Sequence, residues 1–229
     1  MLIPVTCPVC GDRGRAPCDG CRALLRRAPA LPCPTGVDRC AAVLDYDGAG
    51  RELVARLKYR NARAALPFLA TAMAALVERS QLDLVTWVPT TPARRRSRGF
   101  DHAELLARAV ARRLRLPCRP ALRRRPGPAQ TGLDAAERRA GPVFHVFTGS
   151  RLPARVLLVD DVVTTGATVR AAAAALRGAG TGEVHVLAAA RTRPGRRAVG
   201  PAGSGVHSAV AVCGSVVESR GQPQAKRPT

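Results

Sequence analysis

VLLVDDVVTTGAT, residues 156–168, is the stretch that decides the fold. Its opening is apolar throughout, as expected of a strand buried on both faces inside a parallel sheet. Two carboxylates, Asp160 and Asp161, then stand at the carboxyl end of that strand. Five residues, Thr164 to Thr168, lead from there into GATVRAAAAALRGAG (166–180), a good helix former ended by glycines. Ligands of open α/β sheets bind at the carboxyl ends of strands. Small residues before a helix let backbone N–H groups close around a phosphate, and the helix dipole favours the anion. The amides of Thr164, Thr165, Gly166, Ala167 and Thr168 are the candidates. The three threonines add hydroxyls, and Gly166 permits close backbone approach. Carboxylates do not pair with phosphate, so Asp160 and Asp161 serve ribose hydroxyls, a divalent cation, or both. Phosphate beside sugar hydroxyls is the pattern of a pentose phosphate. The plainer reading, a solvated Asp pair before a threonine cap, suits any one of these residues better than the whole run.

Outward from this stretch, strand-like and helix-like segments alternate. AAVLDY (41–46), LDLVTWV (82–88), VFHVF (143–147), RVLLVDD (155–161) and EVHVLAAA (183–190) read as strands. RGFDHAELLARAVARRLR (98–115) reads as one helix, with Leu106, Val110 and Leu114 on one face and Arg108, Arg112 and Arg115 on another. This alternation predicts an α/β domain over 41–192, a mostly parallel sheet flanked by helices. Residues 124–142 break the rhythm as a long loop, of the kind that is usually functional. Residues 193–229, rich in Gly, Pro, Ser and charge, are expected to be a disordered tail.

Residues 1–40 hold six of the eight cysteines. CPVCGDRGRAPCDGC (7–21) is C-x2-C-x7-C-x2-C, and each C-x2-C pair can offer two thiolates to one tetrahedral Zn²⁺. Cys7, Cys10, Cys18 and Cys21 are thus the candidate ligands of a small structural zinc module that could not bury enough core to fold alone. Cys33 and Cys40 read either as extra ligands or as the remains of a second knuckle. Cys118 and Cys213 read as plain packing or tail residues.

The chain carries 37 Lys+Arg against 16 Asp+Glu, a formal charge of +21. Such a surplus attracts polyanions. It also matches a composition rich in Arg, Ala, Gly and Pro, so part of it reads as solvated surface. Residues 94–125 concentrate it, with twelve arginines against Asp101 and Glu104. Seven aromatic residues in all argue against an extended base-stacking platform. With no long apolar run and no signal-like N-terminus, membrane insertion and secretion are not expected, and a cytoplasmic protein is.

The run of apolar strand, Asp-Asp, two apolar residues and Thr-Thr-Gly-x-Thr resembles the signature of the type I phosphoribosyltransferases. That resemblance implies their fold, with Asp160 and Asp161 on the ribose 2′- and 3′-hydroxyls and Thr164 to Thr168 on the 5′-phosphate of phosphoribosyl pyrophosphate. WVPTTPARRRSRGFDHAELLA (87–107), RRRPGPAQTGLDAAERRAGPVFHV (123–146) and LKYRN (57–61) more narrowly resemble the ComF/GntX-type proteins, the competence protein F-like branch. Gln130, Leu133, Arg138, Arg139 and Phe144 stand at matching places. Asp101-His102 stands where that pattern has Asn-Gln.

What the resemblance implies is wider than the pocket. Thr90, Thr91 and the arginines of 94–98 would hold pyrophosphate, with Mg²⁺ bridging it to the ribose. The 124–142 loop, carrying Arg138 and Arg139, would close over the reacting centre, which makes Arg138 a catalytic candidate beside Asp160 and Asp161. The branch carries a Cys-rich zinc module and has a part in DNA uptake during natural transformation. Single-stranded DNA and DNA-uptake or recombination proteins are then expected partners. Three functions stay open: a phosphoribosyltransferase, a non-catalytic sensor of phosphoribosyl pyrophosphate, and a single-stranded-DNA-binding competence factor. A base-reading hood is expected around residues 1–80, yet no base-reading residue is recognisable there.

Overall fold

The structure, a computed structural model, describes residues 5–57, 60–125, 142–149 and 151–193. These all belong to one unit, Met1–Arg196. Its centre is a four-stranded, all-parallel sheet: β1 (Arg39–Asp45), β2 (Leu84–Trp87), β5 (Arg155–Val163) and β6 (Glu183–Arg191), in the spatial order β1-β6-β5-β2. Parallel neighbours need long crossovers. Helices α2 (Gly48–Arg56) and α3 (Leu66–Ala74) lie between β1 and β2, and α6 (Ala167–Gly178) between β5 and β6. Helices α4 (Pro92–Arg98) and α5 (His102–Leu114) follow β2. A short antiparallel ribbon comes next, β3 (Leu122–Arg124) with β4 (Phe144–Val146). The helix α1 (Asp19–Ala23) closes the N-terminal cysteine segment.

The expected burial of the decisive strand on both faces is what β5 shows. Leu157 and Val159 pack on the side of α3 and α5, with Leu69, Met73, Leu106 and Val110. Val156 and Leu158 pack on the other side, with Val169, Ala172, Ala173 and Leu176 of α6. β6 alternates in the same way. Each fully buried Leu or Val contributes roughly 1.5–3 kcal/mol relative to exposure, so this central pair anchors everything at its carboxyl end.

The predicted single helix over 98–115 is two helices. Gly99 takes a left-handed conformation (φ 76°) and ends α4, and Asp101 caps α5 by accepting the Ala103 N–H. The apolar period starts only at Ala103, so residues 98–101 belong to a corner that the periodicity does not cover. Helices α2 and α3 went unpredicted. The first opens on glycines, residues of poor helix propensity, and Gly50 is needed there because a Cβ would lie 2.4 Å from the Asp45 carbonyl oxygen. The second is apolar on nearly every side and lacks the stripe that marks an amphipathic helix.

The tail 193–229, beyond Arg193, and most of the 124–142 loop, 126–141, lie outside the described residues, and with them Gln130, Leu133, Arg138, Arg139 and Cys213. Among the described residues no helix is long and apolar enough to cross a membrane.

Candidate functional site

A pocket of about 290 Å³ opens at the carboxyl ends of β5 and β2. Asp160, Asp161 and Val162 form one wall and Thr168 of α6 adds to it. Val88 to Thr90, Arg94, Asp101 and His102 line the pocket from the end of β2 and the α4–α5 region, and Arg124 of the ribbon lines it as well. The fold therefore brings Asp160, Asp161, Thr168, Thr90 and Arg94 into one cavity. Thr91 caps α4 instead, accepting the Arg94 N–H at 3.3 Å. Thr164, Thr165, Gly166 and Ala167 form the turn next to the pocket and are not part of its lining.

The carboxylates are held by their own strand. Asp160 Oδ1 accepts the Asp161 N–H and Asp161 Oδ1 accepts the Val162 N–H, each at 2.8 Å. Both residues lie within β5, which runs on to Val163. Asp160 is buried, and this burial, followed by the adjacent Asp161 charge, pushes its carboxyl well above the usual carboxylate range. A cation or a set of hydroxyl donors in the pocket would reverse that penalty, because either stabilises the charged form. The turn after β5 places Gly166, which has no side chain to cap with, at φ 76° as the N-cap of α6. The Thr165 hydroxyl accepts the Ala167 N–H at 3.4 Å.

Two pocket residues were not singled out from sequence. Asp101, seen there only as a departure from a family pattern, is 5% exposed. Its carboxylate accepts the Thr90 N–H at 2.8 Å and the Ala103 N–H at 3.1 Å, tying the loop after β2 to the start of α5. Burial raises its pKa while these amides oppose the rise. Arg124 sits half-buried over the Phe144 ring, 5.8 Å from its centroid. Burial first, then the charge of Arg94, disfavour its cationic form, and Asp160 favours it. Two guanidinium groups are thus held near each other beside buried carboxylates. Only the local arginine density hinted at Arg124.

Other arginines of 94–125 serve the fold. Glu104 pairs with Arg108 at 2.9 Å and with Arg95 at 3.6 Å. Arg113 donates to the Thr71 hydroxyl and the Pro67 carbonyl, and Arg119 to the Arg151 carbonyl. Arg94, Arg95 and Arg96 are exposed on α4, and of the three Arg94 lines the pocket.

The thiols of Cys7, Cys10, Cys18 and Cys21 lie within 4.8 Å of one another, an arrangement that could hold a metal ion. Cys7 Sγ accepts the Cys18 N–H at 3.4 Å. Burial pushes the Cys7 thiol up, but the N–H groups of Cys10, Cys18 and Val9 outweigh it and bring its pKa down to about 6. The Asp12 N–H favours the Cys10 thiolate, yet burial, the Asp12 carboxylate and the neighbouring thiols push Cys10 up to about 11. Burial and the other three thiols push Cys21 higher still. Four thiolates this close repel one another, and a divalent cation removes the repulsion. Cys33 and Cys40 are not part of this group: Cys33 Sγ faces the Asp38 carbonyl at 3.9 Å and Cys40 Sγ faces Arg191 at 3.9 Å.

No family model matches the chain. Among solved structures, it is similar to the glutamine phosphoribosylpyrophosphate amidotransferase of B. subtilis in complex with ADP and GMP (28% identity, TM-score 0.41), over 55% of this chain. That match takes in only 26% of the longer enzyme. It is also similar to a purine phosphoribosyltransferase of Pyrococcus horikoshii (17% identity, TM-score 0.37), over 53% of this chain and 68% of that one. In sequence it is 24% identical over 151 residues to competence protein ComFC of Streptococcus pneumoniae, covering 66% of this chain and 67% of that protein. It is 28% identical over 198 residues to competence protein F of Haemophilus influenzae, covering 81% and 84%. Over most of its length the chain is thus similar to the competence proteins ComFC and F.

Proposed function

We propose that the chain binds phosphoribosyl pyrophosphate with Mg²⁺ in the pocket at the end of β5, as a ComF-like protein with a part in DNA uptake. The observation that carries this reading is the meeting of carboxylates and guanidinium groups in one cavity. Asp160 and Asp161 line it next to the N-terminus of α6, and the cationic Arg94 and Arg124 line the same cavity. A ligand with a 5′-phosphate, vicinal hydroxyls and a pyrophosphate satisfies all three parts at once. The amides of Thr164 to Thr168 take the 5′-phosphate. Asp160 and Asp161 take the ribose hydroxyls. Thr90, Arg94 and Arg124 take the pyrophosphate, with Thr91 serving them by capping α4.

Mg²⁺ would neutralise charge between pyrophosphate and ribose, and the carboxylates of Asp160 and Asp161 fit it as hard oxygen donors. Asp101 fixes the backbone of the pyrophosphate loop. Arg138 is retained as a catalytic candidate for transfer of the ribosyl group, beside Asp160 and Asp161. Residues 1–40 act in this reading as a module held by zinc on Cys7, Cys10, Cys18 and Cys21, ahead of a domain over 41–192. The test is calorimetric titration with phosphoribosyl pyrophosphate and Mg²⁺, followed by nucleobases to detect turnover. Saturable binding supports the reading and its absence refutes it.

The exposed Arg94, Arg95 and Arg96 of α4, the first of which lines the pocket, favour a second reading. In it the chain binds single-stranded DNA across α4 and keeps the pocket as a sensor without turnover. The two separate on one experiment: the sensor changes DNA affinity when phosphoribosyl pyrophosphate is added and consumes none of it.

A further inference from the structure

Arg191, the last residue of β6, has no place in the reading above. It is 8% exposed, yet its guanidinium is spent on backbone carbonyls. Nη1 donates to Leu31 at 3.2 Å and Nη2 to Pro32 at 2.8 Å. Its Nε is buried without a hydrogen-bond partner among the described residues. Burying a cation with one N–H unmet is costly, and here it holds the first half of a loop whose second half is held by Arg177 of α6, which donates to the Gly36 carbonyl, and by Val184 of β6, bonded to Asp38. That loop, residues 29–38, joins the cysteine segment to β1.

Two residues beyond the Arg191 contact, Pro34 lies on the phosphate turn. A Cβ on Gly166 would come 2.8 Å from Pro34 Cγ and 3.1 Å from Pro34 Cβ. The clamp and the turn also meet along the sheet, since Arg191 pairs in register with Val163, the residue that precedes the turn. The Thr192 N–H donates to the Val163 carbonyl at 3.1 Å. Both ends of the loop are fixed: the Ala28 N–H donates to Val43 at 3.0 Å and the Asp38 N–H to Val184 at 3.0 Å.

We infer that Arg191, acting through Leu31 to Pro34, is a positioning residue for the turn 164–168. The loop it clamps is the back wall against which Gly166 is seated, and the set of the turn amides depends on that wall. Only the identity of the ligand rests on the proposed function.

The test uses the full chain with Arg191→Met, Arg191→Lys and Pro34→Ala. Amide exchange across 164–168 is measured without ligand, and calorimetry gives affinities for ribose 5-phosphate and for pyrophosphate with Mg²⁺. Arg191→Met and Pro34→Ala should speed exchange at the turn and weaken ribose 5-phosphate about tenfold, the scale of one lost hydrogen bond to a charged group. Pyrophosphate, assigned to Thr90, Arg94 and Arg124, should be unaffected, and Arg191→Lys should recover part of the loss. A purely structural role would lower both ligands together, and that result overturns the proposal. So does unchanged exchange at 164–168 in both variants. If Arg191→Met fails to fold, Pro34→Ala, which leaves the Arg191 contacts in place, decides. If the wild type binds neither ligand, the proposed function fails, and the exchange data alone still decide the positioning role.

Discussion

The cysteine knuckle and the end of β5 both gather groups that repel one another, and they do it by opposite means. At the knuckle, Cys7, Cys10, Cys18 and Cys21 meet with Cys7 and Cys21 buried, but the surrounding segment contributes little more to the core than Val9 and Leu25. At β5, Asp160 and Asp161 follow four fully buried residues, Val156 to Val159, in a strand paired on both sides. The first cluster could hold a metal ion, which would relieve that repulsion. The second is shaped by the sheet before any ligand arrives.

Metal removal should therefore break one region and spare the other. Purified protein should carry about one Zn²⁺ per chain by elemental analysis, worth on the order of 10–16 kcal/mol to its knuckle. After chelation, amide exchange should rise across residues 7–21 while β5 and β6 stay protected. Loss of protection in β5 would show that the sheet also leans on the metal. The converse experiment is Leu158→Ala, which should cost about 2–5 kcal/mol in urea unfolding and leave the zinc content unchanged.

Asp160 sharpens the contrast through pH. Its folded-state pKa lies above its unfolded value, so the folded chain holds the proton more tightly. Its contribution to stability then falls as pH rises from the ordinary carboxylate range through the folded pKa. Asp160→Asn mimics the protonated form. Its melting temperature should match the wild type near about pH 4 and exceed it at neutral pH, while ribose binding is lost. Equal melting temperatures at both pH values would mean that Asp160 carries no such penalty.

Two smaller effects bear on the pocket rim. Thr165→Val should weaken phosphate binding by about 1–3 kcal/mol, read by calorimetry with ribose 5-phosphate. Replacing Arg94, Arg95 and Arg96 together with Ala should reduce the salt dependence of single-stranded DNA binding by a slope of roughly 2. An unchanged slope would return those arginines to plain surface.

The two regions also differ in how they could be read from residues. The β5–α6 unit was legible because its apolar run, Asp pair and small turn are local, and local chemistry makes both the fold and the site. The cysteine spacing was legible for the same reason. Asp101 and Arg124 were not, because they join the pocket through the α4–α5 corner and the three-residue strand β3, and neither has a periodicity that announces it. The break at Gly99 was hidden by the strong apolar stripe that starts four residues later. Arg191 was beyond reach: its partners are Leu31 and Pro32, and nothing in an arginine ending a strand says which distant carbonyls it will meet.

The central claim is that the pocket at the end of β5 takes phosphoribosyl pyrophosphate, and calorimetric titration of that ligand with Mg²⁺ into wild type and Asp161→Ala tests it most directly. The wild type should bind one equivalent per chain, and Asp161→Ala should keep its melting temperature and lose at least about tenfold in affinity, the scale of a hydrogen bond to a charged group. No heat from the wild type, or equal affinity in the variant, would contradict it and leave residues 156–168 as a strand and a helix start.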